Sequence, residues 1–281
     1  MSPTMPCSGM PTNDRMQAIT KVVSDISGMW DFDEPEHPVY KALYWMIDED
    51  PLHLCPDDDH LDQRYVLVLL YFSTSGDDWM KCRRGGLFIC NGEDFLSGTH
   101  ECEWGGITCD SWNRVKNINL DDSNLKGGIP NELSILEYVE ELDLDSNRIT
   151  GRIPAWLGEL RYLERLDLDR NVLSGPIPEE LYDSPSLRYI DMDRNILSGT
   201  ISTKIGLLHR LVFFQVDFNQ MKGPVPTELG DLADLQFFSV LGNGFDDSGI
   251  PLEMCGHNIQ IYANCDMCED VGDCCTACLV D

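Results

Sequence analysis

The chain has 281 residues, of which 49 are acidic and 20 basic, giving a formal net charge of -29. A hydrophobic fraction of 42% predicts a folded core despite this charge. The acid excess argues against nucleic acid and anionic membrane surfaces as partners, because both bind basic patches, and favours partners of basic character. No apolar run approaches the ~20 residues of a membrane span, and no signal peptide is visible at the N-terminus.

The N-terminal part of the chain is predicted to be mainly helical. Residues 1–15 are polar and are interpreted as a disordered tail. Apolar residues recur at helical spacing over residues 16–29, and two further helices are predicted over residues 39–48 and 60–73. The aromatic cluster Trp45, Tyr65, Tyr71, Phe72 and Trp79 is expected to pack in the core rather than to bind a ligand.

The twelve cysteines lie toward the two ends of the chain, and residues 110–254 contain none. This distribution predicts disulfide-bonded ends in an oxidising compartment, so we expect an extracellular or cell-surface protein whose targeting segment lies upstream. Cys82 and Cys90 are predicted to pair. The partners of Cys7, Cys55 and the six C-terminal cysteines stay open, although the close spacing of those six favours disulfides over zinc.

A 24-residue repeat occupies the centre of the chain. The recurring polar positions are Ser123, Asn147, Asn171, Asn195, Asn219 and Asn243. Leucines alternate with polar residues before each of them, as at Leu166 and Leu168, which predicts a short strand with inward leucines. The recurring asparagine is expected to hydrogen-bond the backbone of its own and neighbouring coils. Because one coil cannot bury its own apolar face, the coils are expected to stack.

Two motifs carry a family resemblance. Residues 115–251 follow the frame LxxLxLxxNxLxGxIPxxL, and the pattern Cys102-x-Trp104-x-Gly106-x-x-Cys109 precedes them. The chain therefore resembles plant-type extracellular leucine-rich-repeat proteins, and its acidic cap and cysteine-rich tail resemble surface members of the class from diatoms and other algae. The resemblance implies a disulfide between Cys102 and Cys109.

The resemblance also implies the fold class and the domain organisation. We expect an α/β solenoid, a leucine-rich-repeat right-handed superhelix with a concave parallel β-sheet. Its predicted segments are a disordered tail (1–15), a helical, disulfide-bonded N-terminal cap (16–114), six leucine-rich repeats (115–254) and a Cys-rich C-terminal cap (255–281).

Two columns of aspartates are predicted on the concave face, where residues beside the inward leucines point outward together. The first column contains Asp143, Asp167 and Asp191, and the second contains Asp145, Asp169, Asp193 and Asp217. Neighbouring strands lie about 4.8 Å apart, so adjacent aspartates repel each other. We interpret the columns as a binding surface for a cation or a basic peptide. The alternative is that they only reflect the overall acidity of the chain.

Arginine and aromatic side chains border these columns, namely Arg165, Arg170, Arg194, Tyr189, Phe213, Phe218 and Phe237. The alternative for the aromatic residues, above all Phe237, is contact with the C-terminal cap or loops. Outward aromatic side chains next to charges are typical of recognition sites. The segment Asp143-x-Asp145-x-Asn147 resembles the start of a calcium loop but lacks the glycine and glutamate of an EF-hand. Calcium, if bound, is expected to bridge neighbouring strands.

The sequence contains no catalytic motif, so no catalytic residue is assigned and no enzyme is predicted. The predicted function is recognition of a protein or peptide ligand, with basic character, on the concave face. The family's roles imply a receptor-like, inhibitory or adhesive protein. The alternative is a calcium-binding structural protein of a cell wall or matrix that uses the same aspartates. No cofactor is expected, apart from calcium in that alternative.

Overall fold

The computed structural model describes residues 7, 10–28, 34–85, 91–246, 249–255, 258–269 and 274–279. The chain divides into two compact units. The first contains residues 1–118 and 123–136, and the second contains residues 119–122 and 137–281.

Three helices build the first unit: α1 (Thr12–Ser27), α2 (Pro38–Tyr44), which continues as a π-helical turn (Trp45–Glu49), and α3 (Leu61–Ser73). Helix α1 begins before the predicted start at residue 16, so the tail prediction is wrong for residues 12–15. Arg15 explains the difference, because its guanidinium donates hydrogen bonds of 2.9–3.1 Å to the carbonyls of Met46, Ile47 and Leu54. These three bonds hold the first turn of α1 against the rest of the unit.

Arg64 on α3 lies at the centre of the first unit and is fully buried. Its guanidinium forms a bidentate pair with Asp50, at 2.8 and 2.9 Å. It also lies over the rings of Trp45 and Trp104, 5.3 and 4.7 Å from their centroids. The pair and the two rings satisfy a charge that would otherwise be costly to bury. The expectation that the aromatic cluster forms core is confirmed for Trp45, Tyr65, Tyr71 and Trp79, which are all buried.

A disulfide-linked hairpin and a further short strand complete the first unit. Strand β1 (Ile107–Cys109) pairs antiparallel with β2 (Val115–Asn119), and Cys102 is bonded to Cys109. Strand β3 spans Lys126–Gly127. A second disulfide joins Cys7 to Cys55. Cys90 lies outside the described residues, so its pairing with Cys82 stays a prediction.

Parallel strands of the larger sheet run through the second unit. In spatial order they are β4 (Glu141–Asp143), β6 (Arg165–Asp167), β8 (Tyr189–Asp191), β10 (Phe213–Gln215), β12 (Phe237–Ser239), β14 (Gln260–Asn264) and β15 (Ala277–Leu279). A smaller parallel sheet contains β5 (Arg148–Gly151), β7 (Val172–Gly175), β9 (Ile196–Gly199), β11 (Gln220–Gly223) and β13 (Gly244–Phe245). Short 3₁₀ turns connect the two sheets in each coil.

The core between the two sheets has the predicted composition, since Leu166 and Leu168 are fully buried. The predicted asparagine ladder is also present. The Nδ2 of Asn171 donates to the carbonyls of Leu144 and Asp169, at 2.8 and 3.0 Å, and its Oδ1 accepts from the amide of Ile149 at 2.8 Å. One side chain therefore connects two successive coils and leaves no polar atom of its own unpaired.

The C-terminal end is cross-linked by three disulfides and carries a single helical turn, α4 (Cys265–Cys268). The disulfides are Cys255–Cys274, Cys265–Cys278 and Cys268–Cys275. This connectivity is one of the fifteen that the sequence leaves open. Among the residues that the structure describes, no helix has both the length and the apolarity needed to cross a membrane.

Candidate functional site

The candidate site is the outward surface of the larger sheet in the second unit, which we call the strand face. Strand pairing places residues 24 apart side by side, as in Asp143, Asp167 and Asp191. The first Asp column has these three residues, and the second Asp column has Asp145, Asp169, Asp193 and Asp217. A third column lies on the other side of the first Asp column, and we call it the aromatic column. It begins with Glu141 and Arg165 and continues with Tyr189, Phe213 and Phe237.

The aspartates face away from the leucine core but are shielded from water. Asp167 is 6% exposed, Asp193 3% and Asp217 4%. Each carboxylate packs between neighbours in its own column and in the adjacent columns, because the strands lie about 4.8 Å apart. Alternation in the sequence predicted the direction of these side chains but gave no indication of their burial.

Burial changes the ionisation of both Asp columns. Desolvation, reinforced by the neighbouring carboxylates, raises the pKa of Asp167 and of Asp191 to about 7. Desolvation also raises the pKa of Asp143 to about 6 and shifts the pKa of Asp169 upward. Near neutral pH Asp167 and Asp191 are therefore partly protonated, and a bound cation would displace those protons.

The carboxylates differ in how fully they are hydrogen-bonded. Asp217 accepts from the Ser239 hydroxyl at 2.7 and 2.8 Å and from the amide of Leu241 at 2.7 Å. In contrast, Oδ1 of Asp169 and Oδ1 of Asp193 are buried and accept no hydrogen bond from any residue that the structure describes. Unused acceptor capacity therefore concentrates at β6 and β8 rather than at β10.

Three carboxylates come close enough together to hold a cation. One oxygen from each of Asp169, Asp191 and Asp193 lies within 4.8 Å of the others. Calcium–oxygen distances of 2.3–2.6 Å fit such a spacing, whereas magnesium requires about 2.1 Å. The cluster is thus compatible with calcium or with the amine or guanidinium of a ligand.

The arginines border the Asp columns on both sides and pair with them. Arg165, in the aromatic column, lies 2.6 Å from Asp167. Arg170 and Arg194 occupy the turn that follows the second Asp column, and they lie 3.1 Å from Asp169 and 2.6 Å from Asp193. These pairs satisfy one oxygen of each partner, while the second oxygen of Asp169 and of Asp193 has no donor within the described part of the chain.

Phe218 occupies the same turn position in the next coil. Ser146, Arg170, Arg194 and Phe218 all have a positive φ, between 47° and 53°. Phe218 is 43% exposed, and the Arg194 guanidinium lies 5.2 Å from its ring centroid. The predicted residues Arg170, Arg194 and Phe218 therefore form one flank of the strand face, and Arg165, Tyr189 and Phe213 belong to the other.

The aromatic column is a continuous stack of rings. The rings of Tyr189 and Phe213 are 4.3 Å apart, and those of Phe213 and Phe237 are 4.4 Å apart, both nearly parallel. Tyr262 continues the stack at 5.3 Å, and the Arg165 guanidinium lies over the other end, 3.8 Å from the Tyr189 centroid. Since the ring faces cover one another, the edges are what a ligand would meet.

One residue of this stack, Tyr262, was not identified from the sequence. Phe237 was identified as an outward aromatic residue, with contact to the C-terminal cap as the alternative, and its ring does contact Tyr262. Tyr262 follows the irregular final repeat and pairs in register with Ser239, so no sequence signal indicates its contact with Phe237. An open groove of about 770 Å³ runs beside the end of the stack, with Phe213, Phe237 and Gln260 in its lining.

Comparisons with known proteins agree with this fold. A family model described as Leucine rich repeat matches residues 137–197. No curated protein matches the chain. Solved structures are similar over a larger part of the chain, and those described below are plant receptor ectodomains.

Three solved structures illustrate the likeness. The LRR ectodomain of the plant membrane receptor kinase GASSHO1/SCHENGEN3 from Arabidopsis thaliana, in complex with CASPARIAN STRIP INTEGRITY FACTOR 2, is 30% identical over 59% of this chain, with a TM-score of 0.57. The Arabidopsis receptor kinase HAESA, in complex with the peptide hormone IDA and the co-receptor SERK1, is 29% identical over 58%, with a TM-score of 0.55. PEPR1–AtPEP1 is 29% identical over 58%, with a TM-score of 0.53.

The predicted fold class is thereby confirmed as a leucine-rich-repeat solenoid with parallel strands, similar to plant extracellular ectodomains. This chain spans only 20–28% of the length of the three ectodomain chains. The similarity therefore concerns the repeat architecture and not the whole of those receptors.

Proposed function

We propose that this protein is an extracellular, non-enzymatic leucine-rich-repeat module that binds a protein or peptide ligand of basic character on the strand face. The observation that carries the proposal is the close group of Asp169, Asp191 and Asp193, whose carboxylates lie within 4.8 Å of one another and include two oxygens that have no hydrogen-bond donor among the described residues. Carboxylates this close repel one another, and a ligand ammonium or guanidinium would neutralise them through charge-assisted hydrogen bonds.

The structural neighbours support ligand binding by this kind of fold. HAESA is in complex with a peptide hormone, and GASSHO1/SCHENGEN3 with an integrity factor. The five disulfides that join described cysteines support an extracellular location, because such bonds persist in oxidising compartments. A receptor-like, inhibitory or adhesive role, and the resemblance to diatom and algal surface proteins, stay predictions.

The proposal is tested with a deca-lysine peptide as a basic probe. The double variant Asp169→Asn, Asp193→Asn should weaken its binding by about tenfold, as loss of close charge pairs does. A matched variant, Asp231→Asn with Glu253→Gln, removes the same charge from exposed positions elsewhere and should change the affinity little. Equal weakening by both variants, measured by fluorescence anisotropy, would show nonspecific attraction to an acidic protein and would contradict the proposal.

A second candidate function rests on the spacing of Asp169, Asp191 and Asp193, which suits calcium. In this alternative the protein is a structural component of a wall or matrix, with calcium bridging adjacent strands. Calorimetric titration with calcium should then release heat and raise the melting temperature, and Asp191→Asn should abolish both effects. If calcium gives neither heat nor a melting shift, the structural alternative fails and the ligand-binding proposal is unaffected.

A further inference from the structure

The chemistry of the strand face changes along the stack of coils. Strands β4, β6 and β8 carry aspartates in both Asp columns. At β10 and β12 the first Asp column continues as Gln215 and Ser239, and the second ends at Leu241. Asp217, the last aspartate, already accepts hydrogen bonds from Gln215, Ser239 and Leu241. The aspartates with unused acceptor oxygens therefore belong to β6 and β8, and a ligand cation is expected to bind there and not at β10 or β12.

The apolar surface lies at the other end of the face. The stacked rings of Tyr189, Phe213, Phe237 and Tyr262 cover β8 to β14 and are all half-buried, so their edges are accessible. The groove of about 770 Å³ adjoins Phe213 and Phe237. Face-to-face stacking covers both faces of the Phe213 ring, which favours contact of an aliphatic or aromatic side chain with the ring edges.

The spacing between the two regions follows from the strand separation. Phe237 on β12 lies two strands from Asp191 and three strands from Asp167. At about 4.8 Å per strand, these strands are about 10 and 14 Å apart, and the aspartates are also offset from the aromatic column by two residues along the strand, about 7 Å. The direct distances are therefore about 12 and 16 Å, and at about 3.3 Å per residue an extended peptide covers them in about four or five residues.

We propose that the ligand is an extended peptide segment laid across the strands, with a lysine or arginine at Asp169, Asp191 and Asp193 and an apolar or aromatic residue about four or five positions away, against Phe213 and Phe237. This inference rests on the proposed function, and it adds the composition and placement of the ligand. The charge complementarity at β6 and β8 fixes one end, and the aromatic column fixes the other.

Labelled heptapeptides in a serine and glycine background test the inference. Two carry arginine and phenylalanine about four positions apart, one in each order. Matched peptides replace the arginine by neutral citrulline, the phenylalanine by alanine, or both. At least one bipartite peptide should bind about tenfold more tightly than each of its singly altered versions.

Protein variants then locate the two ends. Asp191→Asn should weaken binding of the arginine peptide but not of its citrulline version. Phe213→Leu should weaken binding of the phenylalanine peptide but not of its alanine version. Melting temperatures close to that of the unaltered protein establish that both variants fold. If Phe213→Leu does not fold, Phe237→Leu is used in its place.

The outcomes separate this inference from the proposed function. If the alanine version binds as tightly as the bipartite peptide and Asp191→Asn still weakens it, the bipartite ligand is wrong and the basic-ligand proposal stands. If Asp191→Asn affects arginine and citrulline peptides equally, the placement is wrong. Suppose that no peptide binds even at millimolar concentration. If deca-lysine binding still depends on Asp169 and Asp193, only the bipartite inference is wrong. If that dependence is also absent, the proposed function is wrong as well.

Discussion

At the scale of single residues, the fold acts most strongly on carboxyl groups. The pKa of Asp191 rises to about 7 because burial disfavours its charged form and neighbouring aspartates add repulsion. A carboxyl group with a higher pKa in the folded chain than in the unfolded chain favours folding while it is protonated. Its ionisation therefore destabilises the fold as the pH rises from about 4 to about 7.

We expect the melting temperature to fall between pH 5 and pH 8, and Asp191→Asn to reduce that fall. At pH 8 the variant should melt about 2–4 °C above the unaltered protein, the shift that about 1 kcal/mol gives in a chain of this size. At pH 5 the difference should be smaller, because the aspartate is then mostly protonated. Calorimetric scans across this range measure the effect, and the exposed Asp231→Asn provides the comparison. An identical pH dependence in both proteins contradicts the expectation.

Arg64 gives a second prediction at this scale. Replacing it by methionine would leave Asp50 buried without its bidentate partner, and breaking a buried pair costs about 3–5 kcal/mol. The double variant Arg64→Met, Asp50→Leu should recover part of the loss, because it removes both members of the bidentate pair and leaves only Glu101, 3.4 Å from the Arg64 guanidinium, as a buried carboxylate. Urea denaturation of the three proteins measures the free energies of unfolding. Equal losses in the single and double variants would contradict a charge-based origin.

At the scale of the coil, the asparagine ladder is the interaction that recurs with the repeat. Asn171→Ala should destabilise the protein by about 1–3 kcal/mol for each buried backbone group left unpaired, such as the amide of Ile149. Asn171→Ser should cost less, because serine occupies the equivalent position at residue 123 and retains one donor and one acceptor. Denaturant unfolding compares the two variants, and a larger loss for serine would argue against the hydrogen-bond explanation.

The sequence predicted the coil because each of its parts has a local cause. The period of 24, the inward leucines and the asparagine positions all follow from short-range patterns. Other features depend on contacts between coils. They are the shielding of the aspartates from water, the hydrogen bonds that satisfy Asp217 and the ring stack from Phe213 to Tyr262. Pairing among the C-terminal cysteines likewise depends on the three-dimensional path of the chain, which no spacing rule specifies.

At the scale of the whole molecule, the net charge of -29 has a measurable consequence for association. Long-range attraction of a basic ligand is screened by salt, whereas close pairs inside the face are screened less. Raising the salt from low to physiological concentration should therefore slow the association of deca-lysine far more than it speeds dissociation. Stopped-flow measurements over a salt series test this, and a salt effect confined to dissociation would contradict it.

The distribution of cysteines also sets how the chain would respond to a pulling force. The bonds Cys102–Cys109 and Cys255–Cys274 close short loops on either side of a segment, residues 110–254, that contains no cysteine. Under tension the ends stay cross-linked, while the coils between them are free to peel away one at a time. Each coil of 24 residues would lengthen the chain by roughly 80 Å. A protein anchored at both ends would thus yield in regular steps and keep its two ends intact.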